Sequence, residues 1–347
     1  MRWVMGDRTM TSTTSLSQEL QQATADLHQV NAWAGLLRFS VIGLMFFSLV
    51  TLAWSISNTI MFVSLTALAG IFYAFWLICT HDMIHQTLTG WTWFDSVMSR
   101  LISWPMLWPY SLYSELHRLH HGWNGIDLRD PERVQWTWQE YQQAHPILQW
   151  YVRYQWGWDI LVLGGFGMIF KTLIKALHFQ KLVPRIRRQL LLDLTGMLLI
   201  NGVLLSIVIF QGELLRYLLF WLILERVMGI IGQTRDHLEH YGLWGKFTSH
   251  QLTQFYACRN LKTSSLMGWL MGGLNYHAVH HAFPNIPFNR LPEAYERIQG
   301  ILQKRGLPLM QMELGYFQST YWFSCHPSLI GDVNQSEPKR RHYMISA

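Results

Sequence analysis

Two pairs of long, almost wholly apolar runs decide what this chain can become. Leu36 to Ile56 and Ile60 to Cys79 are parted only by Ser57, Asn58 and Thr59; Leu190 to Phe210 and Leu214 to Gly232 are parted by Gln211, Gly212 and Glu213. Each run is close to the roughly 20 residues that carry a helix across a bilayer. In lipid every backbone amide must be paired within its own segment, which selects helix, and so short a connection makes each pair a hairpin. Composition agrees: half of the 347 residues are hydrophobic and 14% are charged, too apolar for a typical water-soluble domain. The expected fold is an all-α integral membrane protein with four transmembrane helices in two hairpins, at about 36–56, 60–79, 190–210 and 214–232.

The hairpin tips carry few basic residues, whereas the stretch from Arg100 to Arg188 and the C-terminal third hold most of the Lys and Arg. By the positive-inside rule both termini and both long segments are cytoplasmic. The net charge of +6 is read as this loop bias and not as a nucleic-acid footprint. Leu101 to Tyr113, Ile160 to Phe170 and Leu266 to Tyr276 are apolar but short or broken, and are expected to lie in the membrane interface. Residues 1–33 are polar and lack the pattern of a signal peptide. Within them Ser15 and Gln18 resemble a capping box before Leu16, Leu20, Ala23 and Leu27, an amphipathic helix expected on the membrane surface. Residues 34–317 are expected to form a single membrane-bound catalytic domain. Residues 318–347 lose periodicity, contain Lys339-Arg340-Arg341 and are expected to be a disordered tail.

The chemistry-bearing residues are histidines. His81 and His85 follow the second span as H-x-x-x-H; His117, His120 and His121 form H-x-x-H-H; His277, His280 and His281 repeat that spacing. On a helix such positions share one face and can aim their ring nitrogens at one point. Asp236-His237-Leu238-Glu239-His240 follows the fourth span, and His240 is taken as a ninth ligand, with His237 as a further candidate. Nine imidazoles are too many for one tetrahedral zinc and suit two ions, with iron the choice for activating O₂. Asp82, Asp236, Glu239 and Asn275 adjoin ligands and either orient their imidazoles or are ordinary solvated groups. His28, His145, His178, His250, His326 and His342 stand outside any cluster and are given no role. Glu225 and Arg226, charged inside an apolar run, either steady that helix or reach to the interface. Cys79, Cys258 and Cys325 form no C-x-x-C pair, which argues against a disulfide framework, an iron–sulfur motif or haem attachment.

With two hairpins of spans between them, the boxes H-D-M-I-H, H-R-L-H-H and H-A-V-H-H resemble the three histidine boxes of the membrane fatty acid desaturase superfamily. Asn275-Tyr276-His277 running through Phe283-Pro284 to Leu291-Pro292 is similar to the third box of acyl-lipid desaturases. The resemblance covers roughly Ile60 to Glu296. It implies a non-haem diiron centre, two iron ions as cofactor, O₂ as co-substrate, external electrons and an apolar substrate. Glu239-His240-Tyr241-Gly242-Leu243 is similar to alkane hydroxylases and supports His240 over His237 as ligand; His117 to Pro131 is similar to carotenoid ketolases and hydroxylases. Those activities remain the alternatives within the superfamily. Front-end desaturases carry Gln where this chain has His277, and some carry a fused cytochrome b5 domain that residues 1–33 do not contain, which argues against that branch.

The function expected is O₂-dependent desaturation of an acyl lipid, two hydrogens leaving adjacent carbons. Ordinary side-chain acids and bases cannot remove hydrogen from an unactivated CH₂. Electrons are expected from a ferredoxin or cytochrome b5 type donor docking on the basic cytoplasmic face. Two rivals are not enzymes: a metal transporter, which would place His inside the spans, and a zinc-binding membrane adaptor, which would need fewer ligands.

Overall fold

The computed structural model describes residues 15–331 and 342–344. Ten of its helices bear on the site and are numbered α1 (Leu16–Thr24), α2 (Ala32–Ser55), α3 (Thr59–Ile84), α4 (Tyr110–Trp123), α5 (Gly164–Phe179), α6 (Arg185–Phe210), α7 (Leu214–His240), α8 (His277–Ala282), α9 (Leu291–Lys304) and α10 (Tyr316–Cys325). Strand is confined to two short ladders among the described residues. Asn260–Leu261 runs parallel to Met312–Glu313, and Ser328–Ile330 runs antiparallel to His342–Met344.

Asn31 and Asn58 cap α2 and α3, each side-chain oxygen accepting from a backbone amide three residues on, so the first hairpin is set by its capping residues. At 26 residues α3 is about 39 Å long, beyond the roughly 30 Å of a hydrocarbon core, and its surplus turns carry His81 out of the apolar layer. Large apolar side chains on the outer faces of α2 and α6, Leu44, Phe47, Leu198 and Val203 among them, are exposed and have lipid as their natural solvent.

Among the described residues four helices are long and apolar enough to cross a membrane: Ala32–Ser55, Thr59–Ile84, Gln155–Phe179 and Arg185–Phe210. Three match the expected spans at 36–56, 60–79 and 190–210. The other was read as interfacial over Ile160–Phe170. The helix continues instead through a π-helical stretch, Trp158–Leu163, into α5, so polar residues on either side extend it to 25 residues. The expected span at 214–232 forms as α7, yet it is not among these four. It carries Arg216, Glu225 and Arg226, and its buried face packs along α3 and α5.

Glu225 and Arg226 explain the meeting of α7 with α5. Glu225 is fully buried, pairs with Arg226 and accepts from Phe166 N at 2.8 Å. Arg226 donates to the carbonyls of Val162 (2.6 Å) and Leu163 (2.9 Å), which the break at Gly164 frees from helical pairing. Gly164 itself has φ +53°, a left-handed value that favours glycine. Opposite it, a Cβ on Gly229 would stand 2.0 Å from Gly165 N, so the two backbones meet without side chains between them.

Both ends of the chain fold differently from expectation. The capping box of Ser15 and Gln18 forms, but α1 lies on α9, not on a membrane surface: Leu20 and Leu27 are buried with Ile298 and Leu302. Glu19 pairs with Arg305 and Asp26 with Arg297, both at 2.6 Å. The tail expected to be disordered from residue 318 is ordered as far as residue 331. Phe323 of α10 stacks on Trp156, and Ile330 N donates to Trp136 O at 2.8 Å. The aromatic residues of 316–323 have a surface to cover, and the strand borrows its pairing from a segment almost 200 residues earlier. Lys339-Arg340-Arg341 lies outside the described residues.

Candidate metal centre

α3, α4, α7 and α8 converge at one end of the helical bundle, and each brings histidine there. His81 sits in the last turn of α3 and His85 immediately follows it. His117, His120 and His121 occupy the C-terminal half of α4, His240 ends α7, and His277, His280 and His281 lie on α8. His81, His85, His117, His121 and His280 each offer a ligand atom within 4.8 Å of the others; so do His120, His240 and His281, and so do Glu239, His240 and His277. The last two groups share His240. Thus nine imidazoles divide into a set of five and a set of four, with Glu239 beside the second.

Nitrogens face one another at the spacing of ligands around one centre. The Nε2 atoms of His117 and His121 are 3.1 Å apart, those of His121 and His280 3.3 Å, those of His120 and His240 3.1 Å, and those of His240 and His277 3.0 Å. Two lone pairs held this close repel unless a proton or a cation lies between them. His121 and His281 stack at 4.1 Å and connect the two sets.

A buried neutral imidazole has one donor and one acceptor to satisfy. Both nitrogens of His81, Nε2 of His85 and His281, and Nδ1 of His121 and His277 are buried without a hydrogen-bond partner. Each such atom costs about 1–3 kcal/mol if left alone, and a metal ion supplies the missing partner for those turned inward. Burial, followed by the neighbouring imidazoles, pushes His121, His277, His280 and His281 well below the usual histidine range, leaving them neutral with lone pairs available. The residues present fit transition-metal ions by donor type, protonation and orphaned atoms together.

Carboxylates hold the α4 rings from behind. Asp130 lies 2.8 Å from Nδ1 of His120, and Glu132 lies 2.8 Å from Nδ1 of His117. Burial disfavours charge on both partners, yet the pairing wins: His120 is raised to about 9 by Asp130 and Glu132, and Glu132 is lowered to about 2 by His117 and His120. Of these carboxylates, Glu132 was not singled out from sequence, and Asp130 was noted only within a motif. The available signal was the acidic run Asp127 to Glu132 immediately after a histidine box. His250, read as isolated, has its Nε2 3.0 Å from the His121 carbonyl, and Gln254 meets Nδ1 of His281 at 3.2 Å.

The remaining candidates separate. Asp82 sits 3.6 Å from His81 Nδ1 and pairs at 2.5 Å with Arg38, which is itself fully buried. Glu239 lies 3.5 Å from His277 Nε2. His237 is not with the nine: its Nε2 points to Asp159 at 3.0 Å and its ring packs on Trp156. Residues 237 and 240 are only about 60° apart around the helix, so their different directions come from their partners, Asp159 and Trp156 for His237 and His120 and His277 for His240. Among the described residues Asp236 pairs with none of the nine. The Asn275 side-chain oxygen is buried without a partner, while its carbonyl accepts from Leu261 N.

The family model described as "Fatty acid desaturase" matches residues 57–312, a span that holds all nine imidazoles with Asp130 and Glu132. The Delta(5) fatty acid desaturase fat-4 of Caenorhabditis elegans is 29% identical over 99 residues, covering 27% of this chain and 22% of that protein. The Delta(8)-fatty-acid desaturase of Euglena gracilis is 22% identical over 251 residues, 67% of this chain and 59% of that protein. The chain therefore spans less than two thirds of the length of either relative.

Proposed function

Because this chain belongs to the fatty acid desaturase family, an oxidoreductase family acting on lipids, we propose that it is an O₂-dependent diiron acyl-lipid desaturase. The observation that carries the reading is the division of nine imidazoles, most of them buried, into two adjoining sets. His81, His85, His117, His121 and His280 would hold one iron, and His120, His240, His277 and His281 the other, with Glu239 beside the second. When bound, the irons supply the activation of O₂ that no side chain here can perform.

The chain's own residues do the rest. Asp130 and Glu132 keep Nδ1 of His120 and His117 protonated, so their Nε2 lone pairs face inward. Arg38 of α2 pairs with Asp82 of α3 and so fixes the turn that carries His81. The enclosing helices exclude water from the ligand set, as its burial indicates. The balance of the reaction is simple: adjacent carbons of a saturated chain each lose one hydrogen, two electrons and two protons enter, and O₂ leaves as two waters. The electrons come from a ferredoxin or cytochrome b5 type donor, for which the basic residues between Arg100 and Arg188 are the docking face. The same residues orient the protein, placing its termini and the histidine-rich cap in the cytoplasm. Residues 34–317 are the catalytic unit, with α1 and α10 packed on it.

Metal analysis of the purified protein, with lipid profiling of a host that expresses it, tests the reading. About two irons per chain and new double bonds in acyl lipids are the expected result. A single zinc without iron overturns the metal centre; hydroxylated or oxygenated products without new double bonds overturn the reaction.

A further inference from the structure

The two sides of α10 are of opposite kinds. A helix turns about 100° per residue, so Tyr316, Ser319 and Phe323 fall within about 60° of one another, and Phe317, Tyr321 and Cys325 fall within about 80° of one another on the other side. The first side is packed. Tyr316 lies against the apolar cluster that joins α2 to α3, Ser319 is buried, and Phe323 stacks on Trp156 and meets Tyr241, the residue after His240. The second side is bare: Phe317 is 91% exposed and Tyr321 73%. Leu314, just before the helix, is exposed with them.

No residue from Leu314 to Cys325 carries a charge. A surface helix turned to water has charged and polar residues on its outer face, and a contiguous apolar patch marks a surface that something covers. The neighbouring chain says what. A Cβ on Gly315 would stand 3.1 Å from the Lys262 carbonyl, so the start of α10 lies beside the segment leading into the short helix Ser265–Leu270. That helix packs on α2, and its Leu266 is exposed. The bare face is thus continuous with the lipid-facing surface of a span. Aromatic rings are enriched at the boundary between lipid headgroups and acyl chains, where an apolar body and a polar tip are both solvated.

We propose that the outer face of α10, formed by Phe317, Tyr321 and Cys325 with Leu314, is a membrane-binding surface seated at the headgroup–acyl boundary of the bilayer on the histidine-rich side. Having no charge, this face takes zwitterionic lipid as well as anionic lipid, and it offers a charged soluble partner nothing to pair with. Through Tyr316 and Phe323 the same helix ties the end of α7 to the bilayer surface. The proposal goes beyond the reaction and depends on neither the metal nor the substrate.

The chain supplies its own probe, because Cys325 is exposed while Cys79 and Cys258 are buried. The full chain, returned to phosphatidylcholine bilayers, is labelled at Cys325 with the fluorophore NBD. A nitroxide high on the lipid acyl chain should quench the label, and aqueous iodide should quench it several-fold less than it quenches free label. Phe317→Ser with Tyr321→Ser should restore iodide quenching without moving the melting temperature, since neither ring is on the packed side; Phe317→Trp should keep the shielding. Replacing part of the phosphatidylcholine with phosphatidylglycerol should change nothing. Iodide quenching equal to that of free label in the wild type overturns the proposal, as does shielding that survives the double serine variant. A label hidden from iodide and nitroxide alike also overturns it, and shows that protein, not lipid, covers the face.

Discussion

Glu132 and His117 meet through Oε1 and Nδ1 at 2.8 Å, although they lie fifteen residues apart in sequence. Asp130 makes the corresponding contact with His120, and its side chain also accepts from Glu132 N at 2.9 Å, so one loop fixes both rings. Carboxylates placed behind ligand imidazoles typically contribute 10–100-fold in metal affinity. Glu132→Ala and Asp130→Ala should each weaken iron binding by about that factor, read by titrating metal-free protein. Affinity unchanged in both variants removes these carboxylates from the centre.

His237 and His240 are one helical turn apart but face different partners. On the proposed diiron reading His240→Ala should lose one of the two irons, whereas His237→Ala should keep both and lower the melting temperature, because it strips Asp159 of a buried partner. Leaving a buried polar group short of a partner commonly costs about 1–3 kcal/mol, reduced here because Lys171 still meets Asp159 at 2.6 Å. Iron lost from the His237 variant at full folding would contradict the partition.

The close approach of α7 to the start of α5 depends on the missing side chain at Gly229. Gly229→Ala places a methyl carbon against the backbone of Gly164 and Gly165 and should destabilise the protein by about 1–3 kcal/mol or more. Gly202 in α6 has nothing within 4 Å of its built Cβ, so Gly202→Ala should be neutral or stabilising by up to about 1 kcal/mol. Thermal unfolding in detergent reads both, and equal melting points would show that the contact carries no weight.

Ion pairs at the protein surface help seat α1 on α9. The Arg305 guanidinium holds the Glu19 carboxyl below its ordinary range, and Arg297 does the same for Asp26. Both folded values lie below the unfolded ones, so the stabilisation is present above about pH 4.5 and fades as pH falls through the folded values. Limited proteolysis should cut near residues 24–30 faster below about pH 4 than at neutral pH. Asp26→Asn with Glu19→Gln should make the segment more sensitive at neutral pH. Cleavage indifferent to both changes would leave the apolar contacts of Leu20 and Leu27 as the whole attachment.

The parts legible in the sequence were those encoded locally. Unbroken apolar runs marked α2, α3 and α6, and the i, i+3, i+4 spacing marked the three boxes, because one helix face is set by one segment. The role of Ile160–Phe170 was not legible, since a helix that passes through a π-helical stretch loses the regular period on which length estimates depend. Nor was the direction of His237, which is decided by Asp159, 78 residues away. The ends misled for a related reason. Leu20 and Leu27 looked like a membrane-facing stripe, yet the surface they cover is α9; Ser328 to Ile330 carried no period because its pairing comes from outside the segment, from His342–Met344 and from the Trp136 carbonyl.

The two imidazole sets interleave along the chain, and this bears on how the protein is made. Each set takes at least one ligand from α8: His280 completes the set begun by His81, and His277 and His281 complete the one begun by His120. A nascent chain that has not yet released residue 281 holds neither site whole. If the two sets are the proposed iron sites, metal insertion must follow release of α8, and a chain truncated before residue 277 holds neither set whole.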